Sequence, residues 1–529
     1  MCQTQGVSSS IAVTSVSDFL SISAARDPHR IAVVDTATGE RLTYSELDER
    51  VSSTAAVLMD RGLLTARVGD RVGLLLGNTA DFVIAYFGII RAGLVAVPLN
   101  PGYTERELSA ILAESDARLL IVDSTNSELG VSAAGEHCTV VFCDEVVSER
   151  ETLRGFLKQS LRSLVRGKSS GSVVFPRVVS DDLALLLFTS GSDGAPKGVM
   201  LTHENLVSNV NALAQLRNPP TVSAEDTVLA VLPLFHVYGL NTVLTLAISA
   251  GAGVVLLDRF DAVESLEVIA QEHVTTVAGA PAMYLLWSRV PSVADAMRPI
   301  RMLSSGGAPL PPEVFTRFEE LTGMRIYEGY GMTETSPVIT STVVDGRAMA
   351  GSVGLPIPGT EIKIMADSGE EAESGDPGEI WVRGPGVFRG YWPDHTDGPD
   401  STGWFGTGDI GLLDDSGALR LVDRRREVII VNGFNVFPRE VEIVLEGIDG
   451  VTEAAVLGRH DPETGEAVTA LVVVRPGSPL TPADIMEQAA VSLARFKCPS
   501  EVRIVEHLPR STTGKIAKGR LREVYELDL

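Results

Sequence analysis

The sequence is poor in several residue types, cysteine among them. Its four cysteines, Cys2, Cys138, Cys143 and Cys498, are scattered without the spacing of a metal site, which suits a reducing cytosol. Aromatic residues make up only 5% of the chain and hydrophobic residues 44%, which fits a globular α/β protein. Because 529 residues exceed a single ordinary core, two or more domains are expected.

Long hydrophobic runs are also missing. The most apolar stretch, residues 239–257, is interrupted by Asn241, Ser249 and three glycines. A buried helix followed by a turn and a strand is therefore favoured over a membrane span. The N-terminus shows no basic segment followed by an apolar one, so no signal peptide is expected. We expect a cytoplasmic protein with at most peripheral membrane contact.

Positive charge is scarce as well. The chain has 44 Lys and Arg against 69 Asp and Glu, and the net charge of −25 argues against nucleic acid as a partner. An anionic ligand must therefore be bound by backbone amides and a few well-placed cations. Only seven of the cations are lysines. Two of them, Lys197 and Lys515, lie in glycine-containing loops, where a compact ammonium group would suit phosphate.

A strand followed by a loop of small residues stands out among the features that are present. The apolar run 185–188 predicts a buried strand, which leads into Thr189, Ser190, Gly191, Ser192, Asp193 and Gly194. Successive amides in such a turn form a positively polarised concavity, so the segment predicts a phosphate site beside Lys197. The P-loop of NTPases needs Gly before the lysine and Ser or Thr after it, which this chain lacks. A flexible surface loop is the alternative.

Strand-like and helix-like segments alternate over most of the chain. A helix is expected after Thr43, with Ser45 as its N-cap and an apolar face of Leu47, Val51, Ala55 and Leu58. The strand-like segments include 71–76, 94–99, 117–122 and 139–143, and then 227–232, 253–257, 275–280 and 301–304. This alternation predicts an α/β fold with a doubly wound, largely parallel sheet and a second α/β series. Ligands of such sheets lie beyond the carboxyl ends of the strands.

The pattern changes towards the C-terminus. From about residue 345 to 425, short apolar runs are punctuated by Gly, Pro and Asp, which predicts a β-rich subdomain. The charge cluster at 423–427 suggests a domain boundary, and it is followed by roughly 100 residues of mixed α and β character. We therefore predict an N-terminal domain of residues 1–425 and a C-terminal domain of residues 426–529.

Six longer stretches are more specific than any single loop. They read FTSGSDGAPKGVMLTH, YEGYGMTETSP, GEIWVRGPGVFRGYW, WFGTGDIG, VDRRREVIIVNGFNVFPREVE and PRSTTGKIAKGRLRE. In this order they resemble the motifs of the acyl-adenylate-forming (AMP-binding) superfamily, in its branch of acyl-CoA synthetases and fatty acid–CoA ligases. The resemblance implies two doubly wound α/β sheets and a distorted β-barrel in a large N-terminal domain, with a small mobile α+β lid at the C-terminus.

The resemblance also implies a reaction in two steps. A carboxylic acid and ATP give acyl-AMP and pyrophosphate, and a thiol, usually that of CoA, then attacks the acyl-AMP. The lid would rotate between the steps. ATP, Mg²⁺ and CoA are thus the expected cofactors, and the acid is the small-molecule substrate. Because charge develops on phosphate oxygens, placed cations and amides would dominate catalysis.

The phosphate-binding and metal-binding residues follow from the same resemblance. Lys197 and the loop from Thr189 to Asp193 would hold the β- and γ-phosphates of ATP. Thr333 would contact the α-phosphate, and Glu334 would coordinate Mg²⁺. Lys515 would reach from the lid to the carboxylate and the α-phosphate.

The nucleoside would be bound by other motifs. Tyr330 would stack on adenine, between Gly307–Ala308 and Gly329. Asp409 would accept both ribose hydroxyls, a task that suits a carboxylate. Arg424 would assist from the ribose side.

The acid and the thiol would meet at a tunnel. His236 would border the acyl tunnel, and Gly433 would lie near the pantetheine of CoA when the lid is turned for thiol transfer. The wall around residues 280–283, with Met332 and Val338, is apolar and offers no charged partner for an amino acid. A medium- or long-chain fatty acid is therefore favoured over an aryl acid.

Departures from the family pattern leave alternatives open. Ser192 and Asp193 stand where two threonines are usual, and Arg426 occupies the hinge. Asp193 and Arg426 are the only support for an inactive nucleotide-binding protein of this fold. No insertion of the kind found in enzymes that load carrier proteins is visible between Glu334 and Gly354, so CoA is the preferred acceptor. An acyl carrier protein as partner, and a homodimer, stay possible.

Overall fold

The computed structural model describes residues 13–60, 67–136, 138–147, 175–190, 196–366, 368–395, 397–424, 429–436, 438–509 and 521. The tip of the predicted phosphate loop (Gly191, Ser192 and Asp193) lies outside these residues, as do Arg426 and Lys515. What was expected of them stays a prediction. Among the helices of the described residues, none combines the length and the apolar character that crossing a bilayer requires.

The first part of the chain alternates helices and strands, as its pattern predicts. Helix α3 is apolar on all sides, and every residue in it except Asp81 is buried, because the helix packs inside the protein. The elements up to residue 147 are α1 (Val16–Arg26), β1 (Ile31–Asp35), β2 (Arg41–Thr43), α2 (Tyr44–Met59), β3 (Arg71–Leu75), α3 (Ala80–Arg91), β4 (Val95–Pro98), α4 (Glu105–Glu114), β5 (Ala117–Val122), α5 (Ser127–Ala134), β6 (Thr139–Phe142) and α6 (Cys143–Val147).

The second part continues the alternation. The apolar stretch at 239–257 forms helix, turn and strand as predicted, but its first helix is a π-helix (Tyr238–Thr245). The other elements are β7 (Leu183–Ser190), β8 (Pro196–Thr202), α7 (His203–Ala214), β9 (Thr227–Ala230), α8 (Leu246–Ala250), β10 (Gly253–Leu256), α9 (Ala262–Gln271), β11 (Thr276–Gly279), α10 (Pro281–Trp287), α11 (Val293–Ala296), β12 (Met302–Ser305), α12 (Pro312–Thr322), β13 (Ile326–Gly331), a 3₁₀ turn (Thr333–Thr335) and β14 (Val338–Ser341).

The third part is β-rich at first and mixed afterwards. Its elements are β15 (Leu355–Pro356), β16 (Glu361–Met365), β17 (Gly378–Arg383), β18 (Tyr391–Trp392), β19 (Phe405–Leu413), β20 (Leu419–Arg424), β21 (Ile429–Val431), β22 (Phe434–Val436), α13 (Pro438–Glu446), β23 (Val451–Asp461), β24 (Gly465–Val474), α14 (Pro482–Ala490), a 3₁₀ turn (Arg495–Lys497) and β25 (Glu501–Ile504).

The strands form four sheets. A nine-stranded sheet has the order β15-β14-β13-β12-β11-β9-β10-β1-β2, and a seven-stranded sheet has the order β18-β8-β7-β4-β3-β5-β6. Strands β16-β17-β19-β20 form an antiparallel sheet in the predicted β-rich region, and β22-β21-β24-β23 with β25 form the fourth sheet. The large sheets are parallel in their interiors; both edges of the nine-stranded sheet and the β18 edge of the seven-stranded sheet are antiparallel, whereas its β6 edge is parallel. The predicted fold class, a large α/β domain followed by a small one, is confirmed.

The small domain has an apolar core of its own. Its centre is made by residues from β21 to β25 and from helices α13 and α14, such as Val441, Leu445 and Ile485. The core of the large domain is a separate cluster that extends as far as Leu419. The predicted boundary at residues 425 and 426 falls outside the described residues and stays a proposal, which the two separate cores support.

A buried asparagine joins the two large sheets. Asn78 follows β3, and its Nδ2 donates to the carbonyl of Leu232 at 2.9 Å and to those of Ala230 and Leu257 at 3.3 Å. The amide of Leu234 donates to Asn78 Oδ1 at 2.9 Å. One side chain on the seven-stranded sheet thus fixes the chain where it leaves β9 and β10 of the nine-stranded sheet.

Replacing Asn78 with Ala should therefore destabilise the large domain. The buried backbone groups that lose their partner should lower the free energy of unfolding by about 2–4 kcal/mol. Asn211→Ala, at an exposed position of α7, is the control, with an expected change within about 0.5 kcal/mol. Urea unfolding monitored by circular dichroism measures both changes. Equal stability of the two variants would show that Asn78 does not join the sheets.

Candidate active site

One large cavity lies at the carboxyl ends of the parallel strands of the nine-stranded sheet. Its volume is about 640 Å³, and it lies where open α/β sheets bind ligands. The structure brings ten of the predicted site residues to its wall: Thr189, Lys197, His236, Gly307, Gly329, Tyr330, Thr333, Glu334, Asp409 and Gly433.

The other predicted residues are placed less directly. Ala308 follows Gly307 but is not part of the cavity wall. Ser190 ends β7, where its backbone pairs with Pro196. Arg424 lies opposite Asp409 in the pairing of β20 with β19, which puts its backbone at the ribose end that the sequence predicts.

The cation of the phosphate loop is held in place by a hairpin. Strands β7 and β8 pair antiparallel, so that Lys197 lies opposite Thr189. The Lys197 Nζ lies 3.2 Å from Asp397 Oδ2 and 5.2 Å from the centre of the Tyr391 ring. Because the Asp397 side chain is 72% exposed, this ion pair is weakly held, and Lys197 can exchange the carboxylate for another anion.

A buried carboxylate lies near this cation. Glu334 lies in the 3₁₀ turn after β13 and is buried. Its Oε1 accepts a hydrogen bond from the Tyr391 hydroxyl at 2.7 Å, and its carbonyl accepts one from the Phe388 amide at 2.8 Å. Sequence reasoning missed Tyr391 as a site residue, although Tyr391 is part of the GYW end of a quoted motif.

The residues around Glu334 fit a magnesium ion that is held mainly by phosphate oxygens and water, with few ligands from the protein. Among the described residues, no group of three or more His, Cys, Asp or Glu side chains could form a metal cage. Mg²⁺ commonly binds one or two carboxylates together with phosphate oxygens and water. Glu334, in the same cavity as Lys197 and Thr189, has the chemistry for that role.

The nucleoside end of the cavity depends on glycine. A Cβ on Gly331 would lie 2.0 Å from the Pro337 carbonyl oxygen, and one on Gly329 would lie 3.1 Å from that of Thr340. Only glycine lets the chain turn at Gly331 towards Thr333. The Tyr330 hydroxyl donates to Asp409 Oδ2 at 2.7 Å, so the predicted adenine and ribose residues are in contact.

A second buried carboxylate was missed from the sequence. Glu328, in β13, is buried and accepts a hydrogen bond from the Leu310 amide at 3.1 Å. Burial raises the pKa of Glu328 to about 7. The signal available in the sequence is a charged residue that alternates with Ile326 and Tyr330 on the buried face of the strand, immediately before Gly329.

The other end of the cavity is apolar. His236 presents an accessible ring to the cavity, where surrounding protein atoms desolvate the imidazole and lower its pKa to about 4. The ring is therefore neutral at physiological pH. Beyond it the wall is formed by apolar side chains of α7, the π-helix and the sheet, among them Leu213, Val228, Val237, Val243, Leu246, Ala278, Met302 and Val343.

The small domain reaches the mouth of the cavity. Gly433 lines the cavity, and a Cβ placed on it would lie 3.8 Å from Ala280. The Phe434 ring stacks on Phe496 with 4.6 Å between ring centres and on Phe235 of the large domain with 6.4 Å. In this orientation the small domain thus presents its Gly433 side to the cavity.

Comparisons with known proteins agree with this arrangement. The AMP-binding enzyme family matches residues 20–392, and the AMP-binding enzyme C-terminal domain matches residues 440–515. The long-chain-fatty-acid–CoA ligase of Yersinia pestis is 34% identical over 511 residues, which cover 92% of this chain and 90% of that protein.

Two solved structures share the fold but superpose to different degrees. A double mutant of o-succinylbenzoate CoA synthetase from Bacillus subtilis, bound with its product analogue OSB-NCoA, gives a TM-score of 0.81 at 29% identity, over 96% of this chain and 98% of that one. ATP-bound MatB from Rhodopseudomonas palustris gives 0.68 at 32% identity, over 96% and 99%.

The family match covers both the cavity and the lid. Residues 20–392 include the phosphate hairpin, His236, Tyr330 and Glu334, and the match at 440–515 covers most of the small domain. The similarity to the CoA ligase from Yersinia pestis extends over nearly the whole chain. The chain therefore belongs to the AMP-binding enzyme family and is an acid–CoA ligase that uses ATP, Mg²⁺ and CoA.

Proposed function

We propose that the protein activates a medium- or long-chain fatty acid as acyl-AMP and transfers the acyl group to CoA. The observation that supports this is a single cavity with two unlike ends. One end carries Lys197, Glu334 and Asp409, and the other is lined by apolar side chains. Each buried methylene of a fatty acid would contribute about 0.8 kcal/mol of binding free energy there.

Adenylation would take place between these ends. The fatty carboxylate attacks the α-phosphorus of ATP, and pyrophosphate leaves. Lys197 and the hairpin at Thr189 would bind the departing phosphates, and Thr333 would contact the α-phosphate. His236 borders the path of the acid as a neutral ring, so it does not hold the carboxylate in an ion pair.

Glu334 would hold Mg²⁺ together with phosphate oxygens. The bound ion supplies positive charge that offsets the charge developing on the phosphates. The chain's own contribution is orientation, because the Tyr391 hydroxyl fixes one oxygen of the Glu334 carboxylate. Such outer contacts commonly decide the affinity of a metal site.

The ribose and adenine would be bound by other residues at the same polar end of the cavity. Asp409 would accept the ribose hydroxyls while its Oδ2 also accepts from Tyr330. Tyr330 would stack on the base, with Gly307 and Gly329 leaving room for it. Arg424 would assist from its position opposite Asp409.

Thioester formation would use the lid orientation described above. The thiol of CoA attacks the carbonyl carbon of acyl-AMP, and AMP leaves. Gly433 and Phe434 lie where the thiol must enter, next to a smaller cavity of about 90 Å³ between the two domains.

A panel of acids tests the proposed substrate. With ATP, Mg²⁺ and CoA present, we expect AMP release to be fastest with medium- or long-chain fatty acids. A second candidate is an aryl acid, because o-succinylbenzoate CoA synthetase shares the fold. Faster release with aryl acids would replace the fatty-acid proposal by that candidate. An acyl carrier protein in place of CoA is the control for the acceptor. If the folded protein fails to release AMP with every acid of the panel, the enzyme proposal is refuted.

Lys515 should act in only one of the two half-reactions. If it neutralises charge at the α-phosphate during adenylation, Lys515→Ala should slow acid-dependent ATP–pyrophosphate exchange by about 10²–10³-fold. Thioester formation from supplied acyl-AMP should change much less, because the Gly433 side of the lid faces the cavity in that step. Lys515→Arg is the charge-retaining control. An equal loss in both half-reactions would contradict the assigned role and the lid rotation.

Tyr391 should affect the Mg²⁺ dependence of the reaction by orienting the Glu334 carboxylate. Tyr391→Phe removes the hydroxyl that orients the carboxylate, so the Mg²⁺ concentration for half-maximal activity should rise about 10–100-fold. Calorimetric titration of ATP should show the same weakening in Mg²⁺ and little change without it. Tyr327→Phe, which removes a hydroxyl outside the cavity wall, is the matched control. An unchanged Mg²⁺ dependence in Tyr391→Phe would show that Tyr391 does not position the metal carboxylate.

A further inference from the structure

A buried cation lies where the lid meets the large domain. The Lys497 side chain is only 7% exposed, and its Nζ lies 2.7 Å from Glu440 Oε1 and 3.0 Å from Glu107 Oε1. Both carboxylates are themselves largely buried. Lysine and glutamate side chains are rarely buried to this extent unless they are paired with an opposite charge.

The two carboxylates belong to different domains. Glu440 is in α13, and Lys497 is in the 3₁₀ turn before β25. Both elements belong to the small domain, so this contact lies within the lid. Glu107 is in α4 of the large domain. The contact between Lys497 and Glu107 therefore exists only while the lid has the orientation described here.

The surroundings of the cluster shield it from bulk solvent and keep the lysine charged. The Nζ lies 5.2 Å from the centre of the Tyr103 ring and 5.7 Å from that of Phe496. Burial alone would lower the pKa of Lys497, but Glu440 and Glu107 outweigh it and hold the pKa above its usual range. A full positive charge thus faces Glu107 across a poorly hydrated interface, where the attraction is stronger than at a surface.

The cluster is also close to the thiol entrance. The lining of the smaller interdomain cavity includes Glu107, Glu440 and Lys497 together with His236 and Phe434. Phe496, next to Lys497 in the chain, carries the ring on which Phe434 stacks. A shift of Lys497 away from Glu107 would therefore move Phe434 and Gly433 from the cavity mouth.

We propose that the ion pair between Lys497 and Glu107 holds the lid in the thioester-forming orientation, which makes Lys497 and Glu107 positioning residues for the second half-reaction. The pair can separate without leaving a bare charge in the protein. After rotation Lys497 keeps Glu440, and Glu107 keeps its hydrogen bonds with the amide and hydroxyl of Thr104 at the start of α4. The proposal rests on the proposed two-step function.

Glu107→Gln is the sharpest test. Glutamine can still cap α4 through its carbonyl oxygen, so the large domain should fold normally, but it cannot attract Lys497 as a carboxylate does. We expect thioester formation from supplied acyl-AMP and CoA to slow about ten- to a hundredfold, with acid-dependent ATP–pyrophosphate exchange within about twofold of the wild type. A fall in kcat, with little change in the KM for CoA, would distinguish positioning from CoA binding.

Glu440→Gln is the matched control, because it removes a carboxylate from the same lysine without touching the interdomain contact. Thioester formation should then stay close to the wild-type rate, while Lys497→Met should reproduce the defect of Glu107→Gln and Lys497→Arg should largely restore the rate. Equal losses in Glu107→Gln and Glu440→Gln, or a loss of both half-reactions in Glu107→Gln, would overturn the proposal in favour of a purely structural cluster.

The outcomes also separate this proposal from the proposed function. If the wild type releases no AMP with any acid, the two-step function fails and the half-reactions cannot support the ion-pair proposal either. If the wild type carries out both half-reactions and Glu107→Gln forms thioester at the wild-type rate, the function stands and only the role of the ion pair is refuted.

Discussion

The reaction centre depends on one buried hydrogen bond between the two large sheets. Glu334 lies on the connection from β13 to β14 of the nine-stranded sheet, and Tyr391 lies in β18, which pairs with β8 of the seven-stranded sheet. Strand β8 also carries Lys197. The two sheets therefore hold two groups in a fixed relative position: the Glu334 carboxylate, which suits Mg²⁺, and the Lys197 ammonium group, which suits phosphate. Because misplacement by about 1 Å can slow a reaction about 10²-fold, this link constrains all the residues around it.

The acidic composition explains how such a site can bind a triphosphate. With a net charge of −25, the protein has no broad positive surface to attract ATP. The charge that matters is local: Lys197 is half-exposed and paired with Asp397, a partner that a phosphate can displace. At the proposed acyl end the cavity offers no such charge, since desolvation keeps His236 neutral. In the proposed function, one cavity would thus offer positive charge to the nucleotide and an uncharged wall to the acid.

Local signals in the sequence predicted the fold well and the site in part. Leu47, Val51, Ala55 and Leu58 are fully buried on one face of α2 as their spacing predicts, but Thr43 and not Ser45 caps that helix, because Thr43 and Glu46 form a reciprocal capping box. Tyr391 was missed because its partner is 57 residues away in the chain. The π-helix was missed because apolar spacing alone does not separate it from an α-helix.

The proposed two-step reaction needs the lid in more than one orientation. Gly433 and Phe434 now line the mouth, at the position where a thiol must reach the acyl carbon. If Lys515 acts at the α-phosphate, as the family motif implies, it must approach the same reacting centre, and both cannot occupy one mouth together. The contacts of Phe434 with Phe235 are stacked rings without directional bonds, and contacts of this kind can separate and form again. An interface of stacked rings and a separable ion pair therefore suits a lid that serves two chemical steps at one site.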